Sequence, residues 1–72
     1  MIDKKFYRRL LIAVNDPQLF PLMQEYADER IEVLRNQLET TKEVDRMREI
    51  QGSIHELRRF KTLREEVIKG AE

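Results

Sequence analysis

The sequence predicts an all-α fold: a long antiparallel helical hairpin preceded by a short amphipathic helix, three helices in a single domain over residues 1–72. Three observations carry this expectation. Glu, Arg, Leu and Ile prevail, while glycine and proline occur twice each, a composition that favours helix. Apolar residues recur at three- and four-residue steps along most of the chain, the spacing of a helix face. The breaks in that pattern fall near Pro17 and near Thr40-Thr41, dividing the chain into residues 1–16, 20–39 and 41–69.

In the first segment Asp3 is a natural N-cap, its carboxylate suited to the free amides of a first helical turn. Phe6, Tyr7, Leu10, Leu11 and Val14 then fall on one side, and Lys4, Lys5, Arg8 and Arg9 on the other. Asn15-Asp16-Pro17 ends this helix, because a residue before proline is driven out of the helical region.

Leu19-Phe20-Pro21 leads into the second helix, with proline tolerated in the first turn. Ala27, Ile31, Leu34 and Leu38 repeat at the spacing of a packed seam. Thr40 followed by Glu43 matches a capping box, which starts a third helix almost where the second stops. That helix is expected to reach Lys69 with Gly70 as its C-cap. Its seam is Val44, Met47, Ile50, Ile54 and Leu57. Gly52, mid-helix, reads as a point of close backbone approach. Folding at Thr40–Thr41 sets Leu34 near Met47, Ile31 near Ile50 and Ala27 near Ile54. The acids Glu25, Asp28, Glu29 and Glu32 then come near Arg58, Arg59 and Lys61.

Each long helix carries a second apolar stripe at the open end of the hairpin. Phe60, Leu63 and Val67 form one, and Leu22, Tyr26 and Val33 the other. These six residues are the candidate partner-binding face, unless the first helix folds back and covers them. A chain this short buries only about 60% of its unfolded surface. With no cysteine to form a disulfide, association with itself or with another protein is the expected supplement.

Charge limits the partners. Fourteen basic and fourteen acidic residues leave no net charge, whereas nucleic-acid binders usually draw their affinity from a basic excess. Lys4, Lys5, Arg8 and Arg9 form the candidate basic surface, either a contact for phosphates or the solvated side of a packed helix. The longest apolar run, Leu10–Val14, is far too short to span a membrane, and no signal-peptide pattern is present.

No catalytic constellation is found. His55 is the one histidine, and in His55-Glu56-Leu57-Arg58-Arg59 an arginine stands where a zinc-protease helix needs its second imidazole. Gly52, three residues before His55, leaves no Glu-x-x-His pair for a di-iron site. No enzyme activity, metal, cofactor or small-molecule substrate is expected.

Arg30-Ile31-Glu32-Val33-Leu34-Arg35 in one arm, with Ile50-Gln51-Gly52-Ser53-Ile54-His55-Glu56-Leu57-Arg58-Arg59 in the other, resembles small helical-hairpin proteins encoded by tailed bacteriophages. The resemblance covers Tyr26 to Glu66, about half the chain, and leaves out everything up to Pro21. It implies an accessory or virion component of head, connector or tail, located in the virion or the bacterial host cytoplasm, and it transfers no functional residue. Two other functions fit the same residues. One is a small regulator or inhibitor docking a helix face on a host enzyme. The other is a dimeric hairpin that binds RNA or DNA, similar only in architecture to a four-helix plasmid copy-control protein.

Overall fold

In the computed structural model, which describes residues 2–72, Asp3 caps the first helix: its Oδ1 accepts from the Phe6 amide at 2.9 Å. Helix α1 runs Lys4–Val14, and α2 runs Leu19–Thr40. Between them Asp16 Oδ1 accepts from the amides of Gln18 (2.9 Å) and Leu19 (2.7 Å). Both donors belong to the otherwise unsatisfied start of α2, so Asp16 serves as its cap. Helix α3 follows over Val44–Lys61, and α4 over Leu63–Ala71. All described secondary structure is helical, as the sequence predicts, but in four helices rather than three.

The added break is at Thr62. Its backbone amide donates to Arg59 O at 3.1 Å, and its Oγ1 donates to the same carbonyl at 3.0 Å. A threonine that bonds back to the preceding turn competes with the regular helical ladder. The chain bends there and restarts, with Glu66 N–H donating to Thr62 O at 3.2 Å.

The Thr40–Glu43 capping box does not form. Thr40 lies inside α2, and both Thr40 Oγ1 (3.1 Å) and Thr41 Oγ1 (2.6 Å) donate to Gln37 O. The hydroxyls therefore satisfy the end of α2 instead of the start of α3. Thr41 and Glu43 are extended, so α3 begins at Val44 with Glu43 in the N-cap position and no side-chain cap.

Helices α2 and α3 pack antiparallel on the expected seam. Ile31, Leu34, Ile50 and Ile54 form one buried cluster, with Leu38 and Leu57 packed against it. Ala27 is buried as well, Met47 is half-buried, and Val44 is exposed. Val44 departs from the expected seam because the extended connector delivers it at the mouth of the turn. Burial of each large aliphatic side chain contributes roughly 1.5–3 kcal/mol. At the open end Gln24 Nε2 donates to Lys61 O at 2.8 Å, and Lys61 Nζ pairs with Asp28 Oδ1 at 2.8 Å.

A second cluster joins the four helices where they meet. Val14, Phe20 and Val67 are its buried members, with Tyr7, Leu10, Leu11, Phe60 and Leu63 packed around them. Phe20 and Phe60 stack in a tilted pair, 6.2 Å between centroids. Helix α1 lies antiparallel to α4: Tyr7 Oη donates to Glu66 Oε2 at 3.1 Å near one end, and Arg64 Nε donates to Asn15 Oδ1 at 3.2 Å near the other.

The molecule thus consists of two helix pairs, α2/α3 and α1/α4, joined at a common core. Its Cα trace measures 44 × 27 × 13 Å, with a radius of gyration of 14.9 Å. A compact domain of this length has a radius of gyration near ~11 Å. Along the α2/α3 arm two helices form a single layer, and among the described residues no other helix packs across its broad faces.

Neither glycine plays the expected part. Gly52 has nothing within 4 Å of the place a Cβ would occupy, so no backbone approaches it. Gly70 lies within α4 and has ordinary helical geometry, not the left-handed conformation of a C-cap. Its role is steric: a Cβ there would fall among the Tyr7 ring atoms.

Candidate functional site

The outward side of α2 is where this fold leaves apolar surface uncovered. At about 100° per residue, Leu19, Leu22, Met23, Tyr26 and Val33 project to the side away from Asp28 and Glu32. Leu22 is 61% exposed, Tyr26 66% and Val33 43%. Next to the stripe, Leu22, Met23, Tyr26, Ala27, Leu57 and Phe60 line a groove of about 350 Å³ between α2 and the end of α3. Large apolar groups at this exposure, contiguous along one helix, are the usual mark of a contact surface for another macromolecule.

The six-residue face expected from sequence is divided by the fold. Leu22, Tyr26 and Val33 remain outside, as a partner face requires. Val67 is fully buried and belongs to the core, a correction to its expected place on that face. Leu63 and Phe60 are half-buried in the same cluster, although Phe60 also forms one wall of the groove. The physical reason is the bend at Thr62, which turns the end of the chain toward α1. The first helix therefore covers the α4 stripe and leaves the α2 stripe open.

Leu19, Met23 and Leu57 extend the surface beyond the predicted residues. The first two were recoverable from sequence, since Leu19 stands three residues before Leu22 and Met23 three before Tyr26. Leu57 is a seam residue that also reaches the groove, a dual position that spacing does not reveal.

The basic residues of α1 are all exposed. Arg8 Nε donates to Ala71 O at 3.4 Å, and the Arg9 guanidinium lies 5.8 Å from the Phe6 ring centroid. Two of the four cations thus have contacts within the chain, while Lys4 and Lys5 face solvent. On the acidic side of α2, Asp28 pairs with Lys61 as the register predicts, but Glu32 pairs with Arg35 of its own helix at 3.6 Å. Arg59 turns to Glu66 at 3.5 Å.

A second concavity of about 310 Å³ lies under the α1–α2 turn, with Asp16, Phe20, Lys61 and Arg64 in its lining. Its cations are already engaged, Lys61 by Asp28 and Arg64 by Asn15, so they do not form an open anion site. The Asp16 carboxyl is held below its usual range by the hydrogen bonds from the Leu19 and Gln18 amides. The Tyr7 hydroxyl is pushed up, first by burial and then by its hydrogen bond to Glu66. Both shifts belong to groups that hold the helices together. His55 is exposed on α3. Among the described residues no three His, Cys, Asp or Glu side chains are grouped to hold a metal ion, and no helix is long and apolar enough to cross a membrane.

No protein-family model, no curated protein and no solved structure matches the chain.

Proposed function

We propose that the protein is a non-enzymatic protein-binding module that packs a helix face against another chain, as a structural or assembly component of a bacteriophage head, connector or tail. The exposed run Leu22, Met23, Tyr26 and Val33 beside the Leu57–Phe60 groove carries the binding reading. Covering such a surface removes apolar area from water at about 25 cal/mol per Å², the largest favourable term in most associations. The phage assignment rests on the resemblance over residues 26–66 and places the protein in the virion or the host cytoplasm. Mass spectrometry of purified particles of the encoding phage tests it. The expected result is the chain present in many copies per particle, and its absence from particles contradicts the structural role.

The same face suits a small regulator that docks on a host enzyme. In that case the protein is missing from particles, and a tagged copy recovers one host enzyme in a Tyr26-dependent manner. The nucleic-acid reading draws on exposed Lys4, Lys5, Arg8 and Arg9. It requires RNA or DNA affinity that falls steeply with salt and is lost when those four residues are neutralised.

A further inference from the structure

We infer that the outward face of α1 docks on the anionic surface of a lipid bilayer. This face is separate from the α2 stripe and does not depend on what covers that stripe. Helix α1 turns Tyr7, Leu10, Leu11 and Val14 into the shared core. At about 100° per residue, Lys5, Arg8, Arg9 and Ile12 project to the opposite side, with Lys4 at its edge. All five are exposed, Ile12 at 83%. Ile12 takes no part in either core cluster. Helical spacing sets it one turn beyond Arg8 and Arg9, among the cations. Phe6, 45% exposed, stands one turn before Arg9 at the rim of the same face.

The charge of this face is unopposed. Between Asp3 and Asp16 the chain has four cations and no acid. The Asp3 carboxylate is engaged by the Phe6 amide. Glu72 follows the Ala71 carbonyl that Arg8 touches. Among the described residues, however, the ion pairs are those of Arg35, Arg46, Arg59 and Lys61, so none of the four α1 cations has an acidic partner. Two kinds of polyanion match that charge, and the apolar residues choose between them. A bilayer offers hydrocarbon just beneath its phosphates, so Ile12 leaves water while Lys5, Arg8 and Arg9 stay at headgroup level. A nucleic-acid backbone offers phosphates without such a layer. Single-stranded bases are held by open aromatic faces, and the ring on this face, Phe6, already lies under the Arg9 guanidinium at 5.8 Å. The occupant that satisfies both the cations and Ile12 is an anionic phospholipid surface.

Co-sedimentation of the full chain with phosphatidylcholine vesicles, with and without phosphatidylglycerol, tests the assignment. The expected result is binding to the anionic vesicles alone, weakening as salt is raised. Lys5→Gln and Arg9→Gln together weaken it by about 25-fold, roughly fivefold for each cation. Ile12→Asn leaves the charge unchanged and weakens it by about tenfold. The variants keep the helical circular dichroism of wild type, since all three positions are exposed. A chain that ignores anionic vesicles at low salt overturns the proposal. Binding that Ile12→Asn leaves unchanged overturns it too, and affinity for RNA or DNA at the same salt would then name nucleic acid as the occupant. None of these results bears on the α2 face, which the particle experiment tests separately.

Discussion

The Tyr7 ring lies directly against the backbone of Gly70, and this contact locks α1 to α4. A methyl group at residue 70 would occupy space already filled by the ring, including the atom nearest its own backbone. Overpacking of this kind costs about 1–3 kcal/mol, while alanine in a helix regains about 1 kcal/mol over glycine. The rigid ring has little room to retreat, so overpacking wins and Gly70→Ala lowers the melting temperature. Removing the ring relieves the clash, and Gly70→Ala then costs less in a Tyr7→Ala background. Equal losses in both backgrounds would mean that the ring does not set the residue at position 70.

The α2/α3 seam predicts a harsher outcome at Ile54, which is 7% exposed within the Ile31–Leu34–Ile50 cluster. Aspartate there buries a charge with no partner. A core this small supplies only ~3–5 kcal/mol, and Ile54→Asp unfolds the arm. Thermal melting by circular dichroism reads this directly, and a transition equal to wild type contradicts the packing.

Gly52 offers the opposite sign. Nothing stands within 4 Å of its absent Cβ, and its backbone is ordinary helix. Gly52→Ala removes backbone freedom from the unfolded chain without meeting a neighbour, stabilising by about 1 kcal/mol. The melting temperature rises by ~4–8 °C in a domain of this size. A loss of stability would show that something does approach this position.

Asp16 makes the protein acid-sensitive at one turn. Its carboxyl is lowered from 3.8 by the hydrogen bonds from the Leu19 and Gln18 amides. A depressed carboxylate contributes stability above its unfolded pKa and loses it as pH falls through the folded value. Asparagine keeps an acceptor for the two amides but does not titrate. Between about pH 5 and about pH 2 the wild-type melting temperature therefore falls further than that of Asp16→Asn. Parallel curves for the two proteins would place the acid response elsewhere.

Helix class, the Asp3 cap and the seam of Ala27, Ile31, Leu34, Ile50 and Ile54 were legible in sequence because each depends on neighbours within a few residues or on helical period alone. The break at Thr62 was not, since neither glycine nor proline marks it and a threonine at a helix end looks like one inside a helix. Thr40 and Glu43 had the spacing of a capping box, yet the hydroxyl had a closer acceptor in Gln37 O. The candidate face was legible as two apolar stripes. Which stripe α1 covers depends on the bend at Thr62, so Val67 and Leu22 looked alike in sequence and ended on opposite sides of the core boundary.

The measurement that bears most directly on the α2 face as a protein interface is the copy number of the chain in purified particles of the encoding phage, by mass spectrometry, for wild type and Tyr26→Asp. Tyr26 is exposed in the single chain, so the substitution leaves the fold intact and places a charge within the exposed apolar stripe. The account predicts many copies of the wild-type chain per particle and few or none of Tyr26→Asp. A wild-type chain absent from particles, or Tyr26→Asp incorporated at the wild-type level, would contradict it.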